Sequence, residues 1–319
     1  MEKTTPEEKQ KVIVIVGPTA VGKTALSIDL AQALDGEIIS GDSLQVYREL
    51  DIGTAKATAT EQAAAVHHLI DIRDWQDTYS VADFQKEARA AIAAISQKGK
   101  LPIIVGGTGL YIQALLFDYK LGSDGIQSKE QQQLVQQLET DTAEWSNEKL
   151  WQHLLLHDPL AAKQLHPNNR RKVFRAIEVI LTTGHSITAP KETPVPLYDY
   201  FLIGLTTERA LLYERINQRV LAMVDQGLME EAKRFLAFPD VQAAQGIGYK
   251  EWLPYFRGEL TLEETVALIQ LHSRRYAKRQ LTWFRNRMTP LWIDLLAHPE
   301  EEVLLVDQLQ KWRRIACDK

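Results

Sequence analysis

The sequence predicts an α/β fold: a parallel sheet flanked by helices and interrupted by a helical insertion. Residues 12–16, VIVIV, are five β-branched residues in a row, as expected of a parallel strand buried on both faces. Strand-like and helix-like stretches then alternate as far as about residue 117. From 118 to 197 the alternation gives way to helical segments, including the Gln-rich run at 131–137 and the tryptophans 145 and 151, and it resumes from 198 to 319. The chain therefore reads as a core in two parts, 1–117 and 198–319, around an insertion at 118–197.

The whole-chain numbers set bounds. A length of 319 residues allows one large or two ordinary domains with ample core. Apolar content of 45% and charged content of 25% are those of a globular protein in water. The single cysteine, Cys317, permits no disulfide within the chain and no Cys-based metal cluster, which fits a reducing cytoplasm. The first eleven residues are polar, and the apolar run after them is too short to target or span a membrane. A net charge of −5 argues weakly against nucleic-acid binding, but the placement of charge matters more than the sum.

The strand at 12–16 runs into Gly17, Gly22, Lys23 and Thr24, completing the pattern G-x-x-x-x-G-K-[ST], and residues 24–34 are helix-prone. A strand before and a helix after are the context a P-loop requires. Its backbone N–H groups wrap a diphosphate, the Lys reaches the outer oxygens and the Thr hydroxyl ligates Mg²⁺. The motif does not say whether that diphosphate belongs to a nucleotide. A second strand at 37–40 delivers Asp42 to the same sheet edge, where Asp42 is either a site carboxylate or a turn residue. A third strand is expected at 67–72. Ser80 and Asp83 open a helix reaching to about 97 with a capping-box pattern. A buried strand at 101–105 ends in Gly106-Gly107-Thr108-Gly109. These glycines either let backbone approach a ligand or make the turn compact. No Walker B aspartate follows Val105, a departure from typical ATPases.

Within the insertion, residues 163–175 carry five Lys or Arg and no acid, and Pro190, Pro194 and Pro196 mark the return. A strand at 200–205 and a helix at 208–226 follow, with Arg215 and Arg219 on one helical face. A loop is expected at 246–250 and a long helix at 262–287. No acidic residue lies between Thr265 and Ile293. At 100° per residue Arg274, Lys278 and Arg285 share a narrow sector, with Arg275 and Arg279 beside it. Ala277, Leu281, Phe284 and Met288 form a separate apolar stripe. Solvated faces normally mix signs, so an all-cationic face favours a polyanion partner. A last strand at 291–294 and a helix at 300–316 close the chain. His67, His68, His153 and His157 lack ligand context and read as structural or surface residues.

Eight blocks resemble the bacterial tRNA dimethylallyltransferase family nearly end to end. They are 17–24 (GPTAVGKT), 40–56 (SGDSLQVYRELDIGTAK), 67–71 (HHLID), 79–84 (YSVADF), 106–111 (GGTGLY), 166–178 (HPNNRRKVFRAIE), 248–251 (GYKE) and 276–285 (YAKRQLTWFR). The second and last are the most specific. Leu221 stands where an Asp is expected and Gly246 where the family tends to have Ala.

The resemblance implies a P-loop-kinase-like core whose insertion grips an anticodon stem-loop. It implies transfer of a dimethylallyl group from dimethylallyl diphosphate to the exocyclic amine of the adenosine just 3′ of the anticodon, position 37, with Mg²⁺ as cofactor. On that reading Gly17, Pro18, Thr19, Ala20, Val21, Gly22, Lys23 and Thr24 hold the diphosphate, with Thr24 also on the metal. Asp42 is the base, and Thr108 and Arg219, favoured slightly over Arg215, stabilise the leaving group. Asp42, Ser43, Leu44, Gln45 and Thr108 surround the flipped base. Lys129, Arg171, Lys172, Val173, Phe174, Arg175, Arg274, Lys278 and Arg285 contact the tRNA, and Trp283 or Phe284 stacks on loop bases. A cytoplasmic monomer is expected. A small-metabolite kinase and a non-enzymatic RNA-binding protein are the rival readings.

Overall fold

The computed structural model describes residues 9–117, 128–189 and 195–315. Residues 1–8, Pro190, Pro194 and Cys317 lie outside them. The described chain divides into two compact units, one holding 9–117 and 196–315, the other 128–189 and Val195.

In chain order the first unit begins with β1 (Lys11–Val16), α1 (Lys23–Ala33), β2 (Gly36–Ser40), α2 (Ala59–Ala64), β3 (His67–His68), α3 (Val81–Gln97), β4 (Leu101–Gly106) and α4 (Gly109–Leu116). The second unit consists of α5 (Lys129–Thr142), α6 (Asn147–His157), α7 (Pro159–Gln164) and α8 (Arg170–Thr183). The first unit resumes with β5 (Asp199–Leu205), α9 (Arg209–Asp225), α10 (Leu228–Ala232), α11 (Trp252–Phe256), α12 (Leu262–Arg287), β6 (Leu291–Ile293) and α13 (Glu301–Arg314). Pro196 already belongs to the core, where it bridges Phe117, and Leu197 donates its N–H to Leu116, so the return starts before residue 198.

Six parallel strands form one sheet in the order β3-β2-β4-β1-β5-β6. Side chains alternate across β1: Val12, Val14 and Val16 enter one apolar layer, Ile13 and Ile15 the other. Each is fully buried, contributing roughly 1.5–3 kcal/mol. Register then places the site. Val16 pairs with Gly106 and with Gly204, and Ser40 pairs with Val105, so the loops after β1, β2 and β4 leave the sheet along one edge.

The third strand is shorter than expected. Leu69 and Asp71 adopt positive φ (61° and 56°), ending β3 after His68 and turning Asp71 toward Lys56. Ser80 and Asp83 form both bonds of a capping box at α3, and Thr261 and Glu264 do so at α12. α12 also has Glu263 and Glu264 in its first turn and Arg285 and Arg287 in its last, aligned with its dipole.

The second unit closes on its own core of Leu138, Leu150, Leu154, Ala161, Ala162, Val173, Ala176 and Ile177. Arg170 donates to the carbonyls of Thr142 and Trp145, satisfying the end of α5. No helix among the described residues is long and apolar enough to cross a membrane.

Candidate active site

The loop after β1 is held in an unusual backbone shape. Gly17 has φ +145°, and a Cβ there would lie 2.5 Å from the carbonyl oxygen of Leu205. Gly22, φ +94°, caps α1, whose first turn has no acidic residue and no side-chain cap, so its N–H groups stay open to an anion. Lys23 Nζ folds back onto the Pro18 carbonyl at 2.6 Å. Burial, reinforced by the nearby Arg219 charge and opposed by Asp42, brings its pKa down to about 7. Arg215 and Arg219 of α9 both reach this loop's cavity. Arg215 donates Nε to the Ala20 carbonyl at 2.9 Å, while Arg219 makes no hydrogen bond or ion pair among the described residues. Burial pushes the Arg219 guanidinium below its ordinary pKa, with Asp42 and Glu61 pulling the other way. An uncommitted, partly desolvated guanidinium beside Lys23 suits a multiply charged anion.

That loop opens into a cavity of about 1610 Å³ within the first unit. Lys23, Thr24, Asp42, Arg219 and Tyr276 line it. Asp42 is a turn residue that also lines the cavity. Its Oδ1 accepts from the N–H groups of Leu44 (2.8 Å) and Gln45 (3.4 Å), fixing the turn, and Oδ2 makes no hydrogen bond among the described residues. The loop after β4 packs tightly on the loop after β2: a Cβ on Gly106 would lie 2.3 Å from the Gly41 carbonyl oxygen. These glycines serve compactness as well as approach to the cavity, which Gly106 and Gly107 line. Thr108 itself stands beside the cavity wall. Its Oγ1 is buried without a hydrogen-bond partner meeting ordinary geometry among the described residues, although the Tyr276 phenol is its neighbour.

Several expected RNA contacts are committed elsewhere. Gln45 gives its amide N–H to the carbonyls of Thr54 and Ala55 and takes the Ser40 hydroxyl, so it shapes the wall rather than offering a free amide. Ser43 and Leu44 line the cavity. Val173 is fully buried in the second unit's core, leaving only its backbone for RNA, and Phe174 packs on the same core. Phe284 is fully buried and cannot stack on a base. Trp283 packs against Gly109 and is half-buried. Arg175 pairs with Glu178, and Arg274 donates to Asn217 of α9. Lys129, Arg171, Lys172, Lys278 and Arg285 are exposed. Thr19 also differs from expectation: its N–H is already held by Gln280 Oε1.

Four supporting side chains escaped the sequence reading. Glu231 accepts the N–H groups of Asp51, Ile52 and Gly53 and the hydroxyl of Tyr249, clamping a cavity-wall loop. Lys56 ties the same loop from its other end, through Asp51, Asp71 and the Tyr47 carbonyl. Tyr276 and Gln280, one turn apart, are polar residues flanking the buried Ala277, the one pattern that marks them in sequence. Burial and the Asp42 charge push the Tyr276 phenol up to about 12, so it stays neutral near pH 7.

Fold and site together define a P-loop-kinase-like α/β protein in which Lys23, Arg219 and Asp42 line one cavity. Strand β4 leads into Gly106 and Gly107 without a Walker B acid. The family model described as IPP transferase matches residues 45–287, and the chain belongs to that family. It is 58% identical over 303 residues to a tRNA dimethylallyltransferase of Enterococcus faecalis, covering 95% of this chain and 97% of that one. Among solved structures, the tRNA isopentenylpyrophosphate transferase of Bacillus halodurans is 45% identical with a TM-score of 0.72, covering 95% of this chain and 96% of that one. A eukaryotic dimethylallyltransferase acting on tRNA is 28% identical with a TM-score of 0.80, covering 97% and 81%.

Proposed function

We propose that the protein is a Mg²⁺-dependent tRNA dimethylallyltransferase. It moves the dimethylallyl group of dimethylallyl diphosphate onto the exocyclic amine of adenosine 37, beside the anticodon, and releases diphosphate. The observation that carries this reading is the shared cavity: the open N–H groups of α1, Lys23 and Arg219 face the same space as Asp42. At about 1610 Å³ it exceeds the usual small-ligand range of roughly 300–1,000 Å³, leaving room for a flipped base beside a five-carbon donor.

In the mechanism, Asp42 Oδ2 accepts a proton from the adenine amine as the nitrogen attacks the allylic carbon. The carbon–oxygen bond breaks, and its electron pair leaves with the diphosphate. An aromatic amine is a weak nucleophile, so a placed base contributes on the order of 10²–10⁴-fold. Lys23, Arg219 and the α1 N–H groups bind the charge that grows on the leaving group. Thr24 and Asp42 are hard oxygen donors in a cavity whose lining also includes Asp51, Glu61, Asp71 and Glu214, and the described residues hold no cluster of three carboxylate, His or Cys ligands. That set fits Mg²⁺, which keeps waters and takes phosphate oxygens. When bound, the ion neutralises diphosphate charge. Arg171, Lys172, Lys278 and Arg285 supply exposed cations for tRNA phosphates in a cytoplasmic, monomeric enzyme.

Unmodified tRNA incubated with the protein, Mg²⁺ and either dimethylallyl diphosphate or ATP tests the reading by nucleoside mass spectrometry. Prenylated adenosine should form with the first donor alone. No prenylated product with that donor would overturn the proposal.

A further inference from the structure

One amide joins two loops of the site. Gln280 is 5% exposed on the inner side of α12. Its Oε1 accepts the Thr19 N–H at 3.1 Å, and its Nε2 donates to the Gly107 carbonyl at 3.0 Å. The partners lie 261 and 173 residues away in the chain, one in the loop after β1 and one in the loop after β4. The uncharged amide accepts with one end and donates with the other; a carboxylate lacks the N–H and an aliphatic side chain lacks both. The fit is close. A Cβ on Gly107 would stand 2.0 Å from Gln280 Nε2, which explains glycine at a position that needs no positive φ.

Each bridged loop handles a different side of the proposed reaction. Thr19 opens the segment that carries the leaving group. Gly107 precedes Thr108, a neighbour of Tyr276 whose phenol in turn lies near Asp42. Among the described residues no hydrogen bond joins Thr19 to Gly107 themselves, and Gln280 bonds to both.

We propose that Gln280 is a positioning residue for prenyl transfer, fixing the spacing between the diphosphate loop and the Gly107–Thr108 loop. It thereby sets the line from leaving oxygen through the allylic carbon to the attacking nitrogen. Displacement at carbon needs that line, and a misplacement of about 1 Å can slow a reaction about 10²-fold. Gln280 acts through Thr19 and Gly107 and touches neither substrate. This inference rests on the transferase reading above.

The test compares wild type, Gln280→Met, Gly107→Ala and the double variant. Single-turnover prenyl transfer is measured with enzyme in excess, and affinities for dimethylallyl diphosphate and unmodified tRNA are measured separately. Methionine keeps the length of glutamine without either hydrogen bond, and alanine at 107 pushes the amide away. Each single variant should slow transfer by about 10–100-fold while both affinities stay within about threefold. The double variant should be no more than about twofold slower than the slower single, because both changes break one link. A transfer rate within about twofold of wild type for folded Gln280→Met would overturn the proposal. So would a rate loss matched by an equal loss of donor affinity, the mark of a mere prop for the anion loop. If Gln280→Met does not fold, Gly107→Ala decides by the same criteria. Wild-type protein that makes no prenylated adenosine overturns the transferase reading itself, a result distinct from either variant outcome.

Discussion

The two oxygens of Asp42 have different partners, and the difference makes its role testable. Oδ1 is bound by the N–H groups of Leu44 and Gln45, and asparagine could keep those bonds through its own Oδ1. Asp42→Asn should therefore fold normally and bind donor, yet lose about 10²–10⁴-fold in single-turnover rate. Near-wild-type turnover at saturating substrates would show that some other group takes the proton. Lys23 gives a prediction in pH. With its pKa near 7 in the free site, it is charged below that value and neutral above it. A diphosphate binds the charged form, so binding takes up a proton as pH rises. Donor affinity should then fall toward tenfold per pH unit between about pH 7 and 9, where the donor's terminal phosphate (pKa about 6) is already ionised. Calorimetry across that range checks it, and Lys23→Arg should flatten the slope because a guanidinium stays protonated.

Helix α12 combines three tasks along one length. Its buried stripe anchors it, with Ala277 and Phe284 fully enclosed. Tyr276 and Gln280 face the cavity, and Lys278 and Arg285 remain exposed. If the exposed cations meet tRNA phosphates, removing both should weaken tRNA binding. It should also flatten the plot of log affinity against log salt by about 0.7–0.9 for each lost contact. An unchanged salt slope in Lys278→Ala/Arg285→Ala would mark this face as merely solvated. The clamp on the 51–53 loop predicts a stability effect instead. Glu231→Gln replaces a carboxylate that accepts three N–H groups and the Tyr249 phenol. It should lower unfolding free energy by about 2–4 kcal/mol in denaturant titration.

At the scale of the whole molecule, what local pattern encodes was legible in the sequence. The β-branched run that forms β1 and the Ser80–Asp83 capping box each carry their meaning within a few residues. The strand at 67–72 was overestimated because Leu69 and Asp71 turn to positive φ, and the Lys56 that pairs with Asp71 there lies 15 residues away. Glu231 left no trace, since its three backbone N–H partners lie about 180 residues away. The stacking role given to Phe284 failed for a related reason. An aromatic residue on an amphipathic helix packs inward unless something draws it out, and Phe284 sits in the main core. Gln45 and Val173 were read from motif position, while burial and local hydrogen bonds determine what their side chains can reach.

The central claim is that the P-loop here holds a leaving group released by carbon–oxygen cleavage. Dimethylallyl diphosphate labelled with oxygen-18 at the bridge between carbon and phosphorus tests it most directly. After reaction with unmodified tRNA, prenylated adenosine and released diphosphate are both weighed by mass spectrometry. The account predicts equal amounts of the two, with the label wholly in the diphosphate. Diphosphate without the label, or phosphate release with no prenylated adenosine, would contradict it.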